Sequence, residues 1–452
     1  MRGLYAAKTQ QLLRLIHSVS PVPPVRWRAA TSRLLSSSSS PEEDATGSLM
    51  LRHLTSKIKA TGPVSVAEYM REALTNPVMG YYVKKNMLGT DGDFITSPEI
   101  SQIFGELLGV WVVSEWMAAG RPKQLQLVEL GPGKGSLASD VLRVFTQLQP
   151  VLSGASVSLH LVEVSPLLSR LQAQTLVGTG STEAEREDEP VYRHGRTAAG
   201  LPVSWYRRLE DVPPGFSIFL AHEFFDALPI HKFQRTERGW REVMVDVDVD
   251  KSGQLRFVLA PSPTLASTTL VQRDENREHV EVCAEGGVII QQLARRVAEH
   301  GGAALIADYG HDGTKTDTFR GFKGHRLHDV LVSPGCADLT ADVDFAYVRR
   351  VAGMGVACLG PVTQRSFLKN MGIDARMQVL LRNCGDQSTR QQLIGGYEAL
   401  TDGAQMGDRF LFFGLLHPRR LAAPQTAAGL KLDKKKSPAQ LPVAGFTEIR
   451  FS

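Results

Sequence analysis

Short apolar runs alternate with helical stretches from Gln124 onward, and this alternation limits the possible folds more than any other feature of the sequence. Such alternation is typical of βαβ units, in which successive parallel strands are joined by crossover helices. The predicted strands are Gln126–Leu130, Ser156–Val164, Val203–Tyr206, Phe216–Ala221 and Ala303–Ala307. Because crossover helices cover both faces of a parallel sheet, the pattern predicts a doubly wound α/β fold.

Changes of pattern divide the chain, after an N-terminal segment, into further predicted regions. Residues 47–120 are expected to form a helical N-terminal domain, and residues 121–229 the first half of the α/β domain. Residues 230–282 contain two stretches of apolar and polar alternation around a turn, which predicts an inserted antiparallel β ribbon. Residues 283–417 are expected to complete the α/β domain with a helical insertion, and residues 418–452 to form a flexible tail.

The first 41 residues contain six basic side chains, eight serines and no Asp or Glu. This composition is typical of an organelle transit peptide, so residues 1–41 are predicted to be one; a disordered basic tail is the alternative. The rest of the chain has slightly more acidic than basic residues. That balance argues against a general affinity for nucleic acid, because such affinity comes from neutralising phosphates with basic side chains.

The sequence predicts neither a membrane span nor a metal site. The most apolar stretch, Gly105–Gly120, is interrupted by Glu106 and Glu115 and is too short to cross a bilayer. The four cysteines form no Cys-x-x-Cys pair and fit no zinc spacing, so they are expected to be free thiols.

A glycine-rich turn, Glu-Leu-Gly-Pro-Gly-Lys-Gly-Ser, follows the first predicted strand and begins a helix. It fails the phosphate P-loop pattern because Lys134 precedes a glycine instead of Ser or Thr, and it fits the dinucleotide pattern poorly at the third glycine. It does match the acid-x-Gly-x-Gly-x-Gly pattern of S-adenosyl-L-methionine enzymes. Glu129, Gly131, Gly133 and Gly135 are therefore predicted to bind the amino-acid end and the ribose of this cofactor.

A second acid strengthens the prediction of a nucleoside site. Glu163 lies at the carboxyl end of the second predicted strand, next to the glycine-rich turn if the strands are parallel. A carboxylate at this position can accept hydrogen bonds from both hydroxyls of a ribose. Glu163 is therefore predicted to bind the cofactor together with the glycine-rich turn.

Several longer motifs occur in order between residues 48 and 417 and resemble those of the MidA-like methyltransferase family, most closely its mitochondrial members. They are Gly92–Glu99, Glu129–Ser136, Glu223–Pro229, Asp308–Gly310 and Asp338–Phe345. The resemblance implies a class I methyltransferase fold, Rossmann-like, with a doubly wound seven-stranded sheet, an added N-terminal helical domain and an antiparallel β insertion. It also implies methylation of a protein arginine, with symmetric dimethylation, in a core subunit of respiratory complex I. The expected location is the mitochondrial matrix and the expected role is complex I assembly.

An arginine substrate poses a chemical problem, because its guanidinium stays protonated and offers no free lone pair. Carboxylates can bind the planar guanidinium and localise its positive charge away from the attacking nitrogen. Glu223, Asp226 and Asp308 are the candidate catalytic acids, since they lie at the carboxyl ends of the fourth and fifth predicted strands. The candidate substrate-binding residues are Asp93, His222 and Tyr309.

Alternatives remain open at this point. Glu223 and Asp226 are three residues apart and could form a helix-capping acid pair instead of a substrate site. The chain could bind the cofactor without using it and act as a non-catalytic scaffold in complex I assembly. It could also methylate a small molecule or RNA, although the lack of a basic, aromatic-rich patch argues against RNA.

The N-terminal segment yields the first testable prediction. Residues 1–41 fused to a fluorescent protein should direct it to mitochondria, because acid-free basic segments are drawn in by the membrane potential. A shortened form of the full chain should accumulate inside the organelle, as measured by mass spectrometry of its N-terminus. Cytosolic fluorescence, or an uncut chain inside mitochondria, would contradict the prediction of a cleaved transit peptide.

Overall fold

The computed structural model describes residues 41–84, 96–421 and 442–446, except residues 185, 187, 251 and 252. The helices of this part are α1 (Pro41–Thr61), α2 (Val66–Thr75), α3 (Tyr81–Lys84), α4 (Ser97–Ile100), α5 (Gln102–Ala118), α6 (Ser136–Gln147), α7 (Gln149–Leu152), α8 (Pro166–Leu176), α9 (Leu265–Thr269), α10 (Ala284–His300), α11 (Phe345–Ala352), α12 (Gln364–Asn370), α13 (Ile373–Asn383) and α14 (Gln387–Thr401). The strands are β1 (Val64–Ser65), β2 (Gln124–Leu130), β3 (Ser156–Val162), β4 (Thr182–Glu183), β5 (Val191–Arg196), β6 (Pro202–Tyr206), β7 (Ser217–His222), β8 (His231–Thr236), β9 (Gly239–Val247), β10 (Leu255–Leu259), β11 (His279–Val282), β12 (Gly302–His311), β13 (Arg320–Lys323), β14 (Arg326–His328), β15 (Asp338–Thr340), β16 (Val343–Asp344), β17 (Ala357–Thr363) and β18 (Phe410–Leu416).

The central sheet confirms the predicted class I methyltransferase fold. Seven strands lie in the order β6-β3-β2-β7-β12-β18-β17. The first five are parallel, and β18 is antiparallel to both β12 and β17. The strand order reverses between β2 and β7, and such a switch point opens a crevice at the carboxyl ends of the strands. The sheet is wider than predicted, because β5 and β4 extend its β6 edge and β16 pairs with β12.

Helix α5 belongs to the α/β core, so the prediction that residues 47–120 form one helical domain is wrong. Nearly every residue of α5 is buried, including the rings of Phe104 and Trp111. The helix packs in one hydrophobic core with β2 and α6. A helix that is apolar on all faces must be covered on all faces, which places it inside the larger domain. None of the described helices combines the length and apolar character needed to cross a bilayer.

The segment before α5 joins the β insertion instead. The insertion is antiparallel as predicted, with β8 between β9 and β11, and β10 on the other edge of β9. β1 adds to the same sheet through the pairs Val64↔Val245 and Ser65↔Met244. Apolar side chains of α1 and α2 complete a second hydrophobic core over this sheet. Residues 41–75 and the insertion are thus one unit, although they lie far apart in the sequence.

The described residues of the predicted flexible tail pack on the core, so that prediction is wrong for residues 418–421 and 442–446. Arg420 is buried and donates to Glu115 of α5, from Nε to Oε2 at 2.7 Å and from Nη2 to Oε1 at 3.0 Å. Val443 and Ala444 are also buried, and the Phe446 ring packs edge-on against Phe367. Glu115 needs this partner because a buried carboxylate without a counter-charge is strongly unfavourable.

This ion pair leads to a prediction about stability. Arg420→Met should lower the free energy of unfolding by about 3 kcal/mol, because it leaves the Glu115 carboxylate buried without its charged partner. The neighbouring Arg419 is exposed, and Arg419→Met should change stability by no more than about 0.5 kcal/mol. Denaturant titration of both variants measures the difference. Equal effects would show that the tail contributes nothing through this contact.

Candidate active site

A cavity of about 190 Å³ opens at the carboxyl ends of β2, β3 and β7, where the strand order reverses. Its wall is formed by the glycine-rich turn, residues 96–99, the end of β3 and the loop after β7. Six residues predicted from the sequence line it: Glu129, Gly131, Gly133, Glu163, His222 and Glu223. The fold therefore places around one cavity predicted residues that are up to about a hundred positions apart in the chain.

The glycine-rich turn has a backbone that only glycine adopts easily. Gly131, Gly133 and Gly135 have φ values of 62°, 55° and 83°, all in the left-handed region. A Cβ on Gly131 would lie 2.7 Å from Cδ2 of Phe224, too close for any side chain. Gly135 is the N-cap of α6 and does not itself line the cavity. Its role is therefore to make the turn, while Gly131 and Gly133 form the surface that a ligand would touch.

Glu129 has a buried carboxyl oxygen at the cavity that no other group satisfies within the described residues. Its side chain is buried, and Oε2 makes no hydrogen bond within the described part of the chain. Burial, assisted by the charge of Asp140, raises the pKa of Glu129 to about 8. A buried carboxylate oxygen without a partner is costly unless a ligand supplies one. The ammonium group of S-adenosyl-L-methionine is a suitable partner, so the residues present fit this cofactor.

Glu163 is held in place by the helix that follows β3. Its Oε1 accepts a hydrogen bond from the backbone N of Ser165 at 2.7 Å, and its Oε2 accepts one from Nε2 of Gln172 at 3.0 Å. Gln172 also donates to the carbonyl oxygen of Gly133 at 2.8 Å, which links the carboxylate to the glycine-rich turn. Burial raises the pKa of Glu163 to about 7. These contacts fix the carboxylate at the cavity wall, where ribose hydroxyls could donate to it.

Asp308 supports the site from behind the cavity wall, and its catalytic role stays a prediction. It lies fully buried in β12. Its Oδ2 accepts hydrogen bonds from the backbone N atoms of Phe224, Phe225 and Asp226 at 2.9–3.3 Å, and its Oδ1 accepts one from its neighbour Tyr309. Burial, opposed by these amide donors, raises the pKa of Asp308 to about 8. The carboxylate is thus committed to holding the loop after β7.

Glu223 begins that loop and faces the cavity. Its φ of 49° is unusual for a residue with a side chain. Oε1 of Glu223 accepts a hydrogen bond from the backbone N of Ser97 at 3.4 Å. Burial, followed by the charge of Asp226, raises the pKa of Glu223 well above its usual value. The site therefore holds a carboxyl group that would be stabilised by an incoming cation.

His222 stands beside Glu223 as an uncharged ring. Its Nε2 atom lies 3.3 Å from Oε1 of Glu223, yet it makes no hydrogen bond within the described part of the chain. The ring packs against Phe104 and Phe410. Burial lowers the pKa of His222 to about 3, so the imidazole is neutral at physiological pH. It can donate or accept one hydrogen bond at the cavity wall but adds no positive charge there.

Two other predicted site residues lie behind the cavity wall. Asp226 does not share a helical face with Glu223, since the residues after β7 form a loop, and it does not line the cavity. Burial and the charges of Asp308 and Asp338 raise the pKa of Asp226 well above its usual value. Tyr309 packs against the ring of Phe410, and the guanidinium carbon of Arg320 lies 5.7 Å from the centre of the Tyr309 ring. Asp93 lies outside the described residues.

Sequence reasoning missed charged residues of the cavity wall. Glu99 and Lys134 both line the cavity, and Lys134 Nζ lies 3.7 Å from Oε1 of Glu99. Tyr82 also lines it and donates to Oδ1 of Asp338 at 2.6 Å. The sequence shows Glu99 as an acid next to a proline at the end of the motif Gly92–Glu99. Nothing in the local sequence indicates that this segment folds back over the glycine-rich turn.

The chain is similar to known S-adenosyl-L-methionine-dependent methyltransferases. A family model with that description matches residues 107–362. The mitochondrial protein arginine methyltransferase NDUFAF7 of Danio rerio is 64% identical over 430 residues, covering 95% of this chain and 97% of the relative. The human protein of the same name is 57% identical and covers 95% of each chain. A Drosophila melanogaster homologue is 50% identical, covering 90% of this chain and 91% of the relative.

A solved structure supports both the fold and the cofactor. A COG1565 superfamily protein from Burkholderia thailandensis, bound to S-adenosyl-homocysteine, matches with a TM-score of 0.68 and 25% identity. The match covers 84% of this chain and 95% of that one. S-adenosyl-homocysteine is what S-adenosyl-L-methionine becomes after losing its methyl group. The Oε2 atom of Glu129, which has no partner within the described residues, and the glycine-rich turn agree with a site for this class of ligand.

Glu129 yields a prediction in which stability and binding change in opposite directions. The folded protein holds the Glu129 proton more tightly than the unfolded chain, since burial raises its pKa from 4.5 to about 8. Stability of the ligand-free protein should therefore fall as the pH rises between about 5 and 8. Glu129→Gln should make this fall shallower and stabilise the protein at pH 8. The same change should weaken S-adenosyl-L-methionine binding about 10-fold or more, since a charged hydrogen bond is lost.

Denaturant titration from pH 5 to 8 and calorimetry with the cofactor measure the two effects. Glu299, an exposed residue at the end of α10, provides the control variant Glu299→Gln. Unchanged cofactor affinity in Glu129→Gln, or an unchanged pH dependence of stability, would contradict the role assigned to this carboxylate.

Proposed function

Because the chain belongs to the family of S-adenosyl-L-methionine-dependent methyltransferases, we propose that it methylates a protein arginine in the mitochondrial matrix. The substrate is a core subunit of respiratory complex I, the product is symmetric dimethylarginine, and the modification serves complex I assembly. The similarity to mitochondrial protein arginine methyltransferases over nearly the whole chain supports this proposal. The observation that carries it is the buried Glu223 carboxyl group at the cavity wall, whose nearest imidazole, that of His222, is neutral.

The cofactor side of the cavity is formed by Glu129, Glu163 and the glycine-rich turn. When bound, S-adenosyl-L-methionine supplies an electrophilic methyl group on a positively charged sulfur. The protein contributes by fixing the direction in which the substrate approaches, and alignment of this kind can account for several kcal/mol of the barrier. The turn accommodates a close ligand because Gly131 and Gly133 carry no side chains.

The substrate side is suited to a guanidinium. Glu223 can accept hydrogen bonds from two N–H groups of the guanidinium. The positive charge of the guanidinium, within about 4–6 Å, would restore the ionised form of Glu223 that burial disfavours. Glu99 also lines the cavity, and its charge is among those that raise the pKa of Glu223. A guanidinium that enters between the carboxyl groups of Glu223 and Glu99 would have its plane held in one orientation. The neutral ring of His222 lines this part of the wall without repelling the cation.

Asp226 and Asp308 support the same reaction without touching the substrate, because both act on Glu223. Asp308 holds the backbone N atoms of residues 224–226, and this fixes where the preceding residue, Glu223, points. Asp226 lies behind the wall, and its carboxyl group raises the pKa of Glu223 further. Direct contact with the guanidinium is therefore made by Glu223.

The competing proposal is a scaffold that binds the cofactor and holds a complex I subunit without methylating it. Pure protein incubated with isotope-labelled S-adenosyl-L-methionine and isolated complex I core subunits separates the two. Methyl incorporation at an arginine, located by mass spectrometry, supports the enzyme. Stable binding of a subunit with no incorporated label would support the scaffold instead.

Glu223→Gln tests the contact with the guanidinium. The change keeps size and hydrogen-bonding capacity but removes the charge, so single-turnover methyl transfer should fall at least ~10-fold, which corresponds to about 1.4 kcal/mol. Affinity for the cofactor should change little, because Glu129 and Glu163 are intact. The melting temperature should not fall, since a buried carboxyl group with a raised pKa is removed.

Glu237, exposed in the turn between β8 and β9, provides the matched control Glu237→Gln, which should leave both quantities unchanged. If Glu223→Gln melted at a lower temperature but kept its rate of methyl transfer per folded molecule, Glu223 would be a structural residue. Asp226→Asn would then be the next variant to test, as the nearest other acid of the loop.

A further inference from the structure

Two buried polar atoms lie beside the carboxyl group of Glu223 without a partner of their own. The Ser97 side chain is fully buried, and its Oγ atom makes no hydrogen bond within the described residues. The same is true of Nε2 of His222, in a side chain that is 7% exposed. A buried polar atom without a partner costs about 1–3 kcal/mol, so each one needs an explanation. Both residues already contact the same atom, Oε1 of Glu223.

The contacts of Glu223 Oε1 are long in the structure. The backbone N of Ser97 lies 3.4 Å away and Nε2 of His222 lies 3.3 Å away, whereas hydrogen bonds to a charged group are usually shorter than about 3 Å. The Ser97 hydroxyl belongs to the residue whose backbone N already reaches Oε1, so rotation about the Cα–Cβ bond can bring it to the same oxygen. A neutral imidazole can carry its proton on Nε2 and donate it. The donors that an ionised carboxyl group needs are therefore present.

Glu223 is otherwise surrounded by groups that oppose its ionisation. The titratable groups that face it from its own loop, from α4 and from neighbouring strands are Asp226, Glu99, Asp338, Asp308 and Tyr309. Two cations act on members of this set: Lys134 lies beside Glu99, and Arg320 lowers the pKa of Asp226. Burial and the acidic neighbours raise the pKa of Glu223 well above its usual value, which favours the neutral carboxyl group.

We propose that Ser97 and His222 are positioning residues for Glu223, and that their donors bind its carboxylate once a cationic substrate has ionised it. This inference rests on the proposed function, in which Glu223 receives the guanidinium of the substrate. The guanidinium supplies the positive charge, and the two donors hold the resulting carboxylate in one orientation. Hydrogen bonds to the ionised form lower the cost of ionisation, so both donors favour the state that binds the substrate.

The pKa of Glu223 measures this effect directly. Carbon-13 NMR of the glutamate carboxyl groups gives this pKa in the full chain, with the signal assigned by its absence in Glu223→Gln. Ser97→Ala removes the hydroxyl and keeps the backbone N, whereas His222→Phe removes the N–H and keeps a ring against Phe104 and Phe410. Each change should raise the pKa of Glu223 by about one unit, because a hydrogen bond to the ionised form is lost.

Ser114 of α5 provides the matched control Ser114→Ala. Its hydroxyl is also buried and has no partner in the described part of the chain. It lies far from Glu223, since Phe104 is the residue of α5 that contacts His222 and Ser114 follows about 15 Å further along the helix. Ser114→Ala should therefore leave the pKa of Glu223 unchanged. Melting temperatures show whether each variant is folded.

The pH dependence of methyl transfer provides a second readout, with isolated complex I core subunits as the substrate. Glu223 must be ionised to hold the guanidinium, so the single-turnover rate should rise with pH through the pKa of Glu223 in the complex. In Ser97→Ala and in His222→Phe this rise should move to higher pH, by about as much as the carboxyl titration. A merely structural role would reduce the rate by the same factor at every pH.

An unchanged pKa of Glu223 in Ser97→Ala or in His222→Phe overturns the role of that residue. An equal shift in Ser114→Ala overturns both roles, because the shift would then not depend on contact with Glu223. A shifted pKa with an unmoved pH profile overturns the link to the reaction. The carboxyl titration needs no methyl acceptor, so a shifted pKa in a protein that methylates no arginine would overturn the proposed function alone.

Discussion

One buried carboxylate, that of Asp308, determines the geometry of the active site. It lies in the middle of the sheet, and its oxygens accept four backbone N–H groups, three of them from the loop after β7. Those amides would otherwise be buried donors without partners, so the loop has one favourable path. That path places Glu223 at the cavity with a left-handed backbone. A buried acid in one strand thus positions the proposed substrate-binding acid, which lies in the loop after the neighbouring strand.

Several buried acids line the cavity, and positively charged ligands would stabilise their ionised forms. Burial raises the pKa of each of Glu99, Glu129, Glu163 and Glu223. Such acids destabilise the empty protein, because their charged forms are poorly solvated. A cofactor with an ammonium group and a sulfonium, followed by a cationic substrate, supplies the missing positive charge. Affinity and folding stability are therefore expected to oppose one another at these positions.

Two parts of the fold with separate hydrophobic cores are joined at the cavity wall through Tyr82, which explains why distant parts of the chain are needed for one cavity. Residues 41–75 and the β insertion form one core, and the sheet with α5 forms another. Tyr82 spans the two, since its hydroxyl donates to Asp338 and its carbonyl oxygen accepts from Ser165 at the start of α8. Residues 96–99 then cross over the glycine-rich turn. The cavity wall therefore depends on how the two units pack.

The sequence by itself determined the fold class, which is a doubly wound α/β sheet. It also determined the glycine-rich turn and the positions of the acids at the ends of strands. These follow from local rules: hydrophobic periodicity makes the elements, glycine permits the turn, and parallel strands align their carboxyl ends. The tertiary structure alone decided which acids face the cavity. Asp226 and Asp308 look equivalent to Glu223 in sequence, but backbone hydrogen bonds commit Asp308 and a loop, not a helix, places Asp226 behind the wall. Glu99 and Lys134 meet only because α4 packs over the turn, and such long-range contacts leave no local sequence pattern.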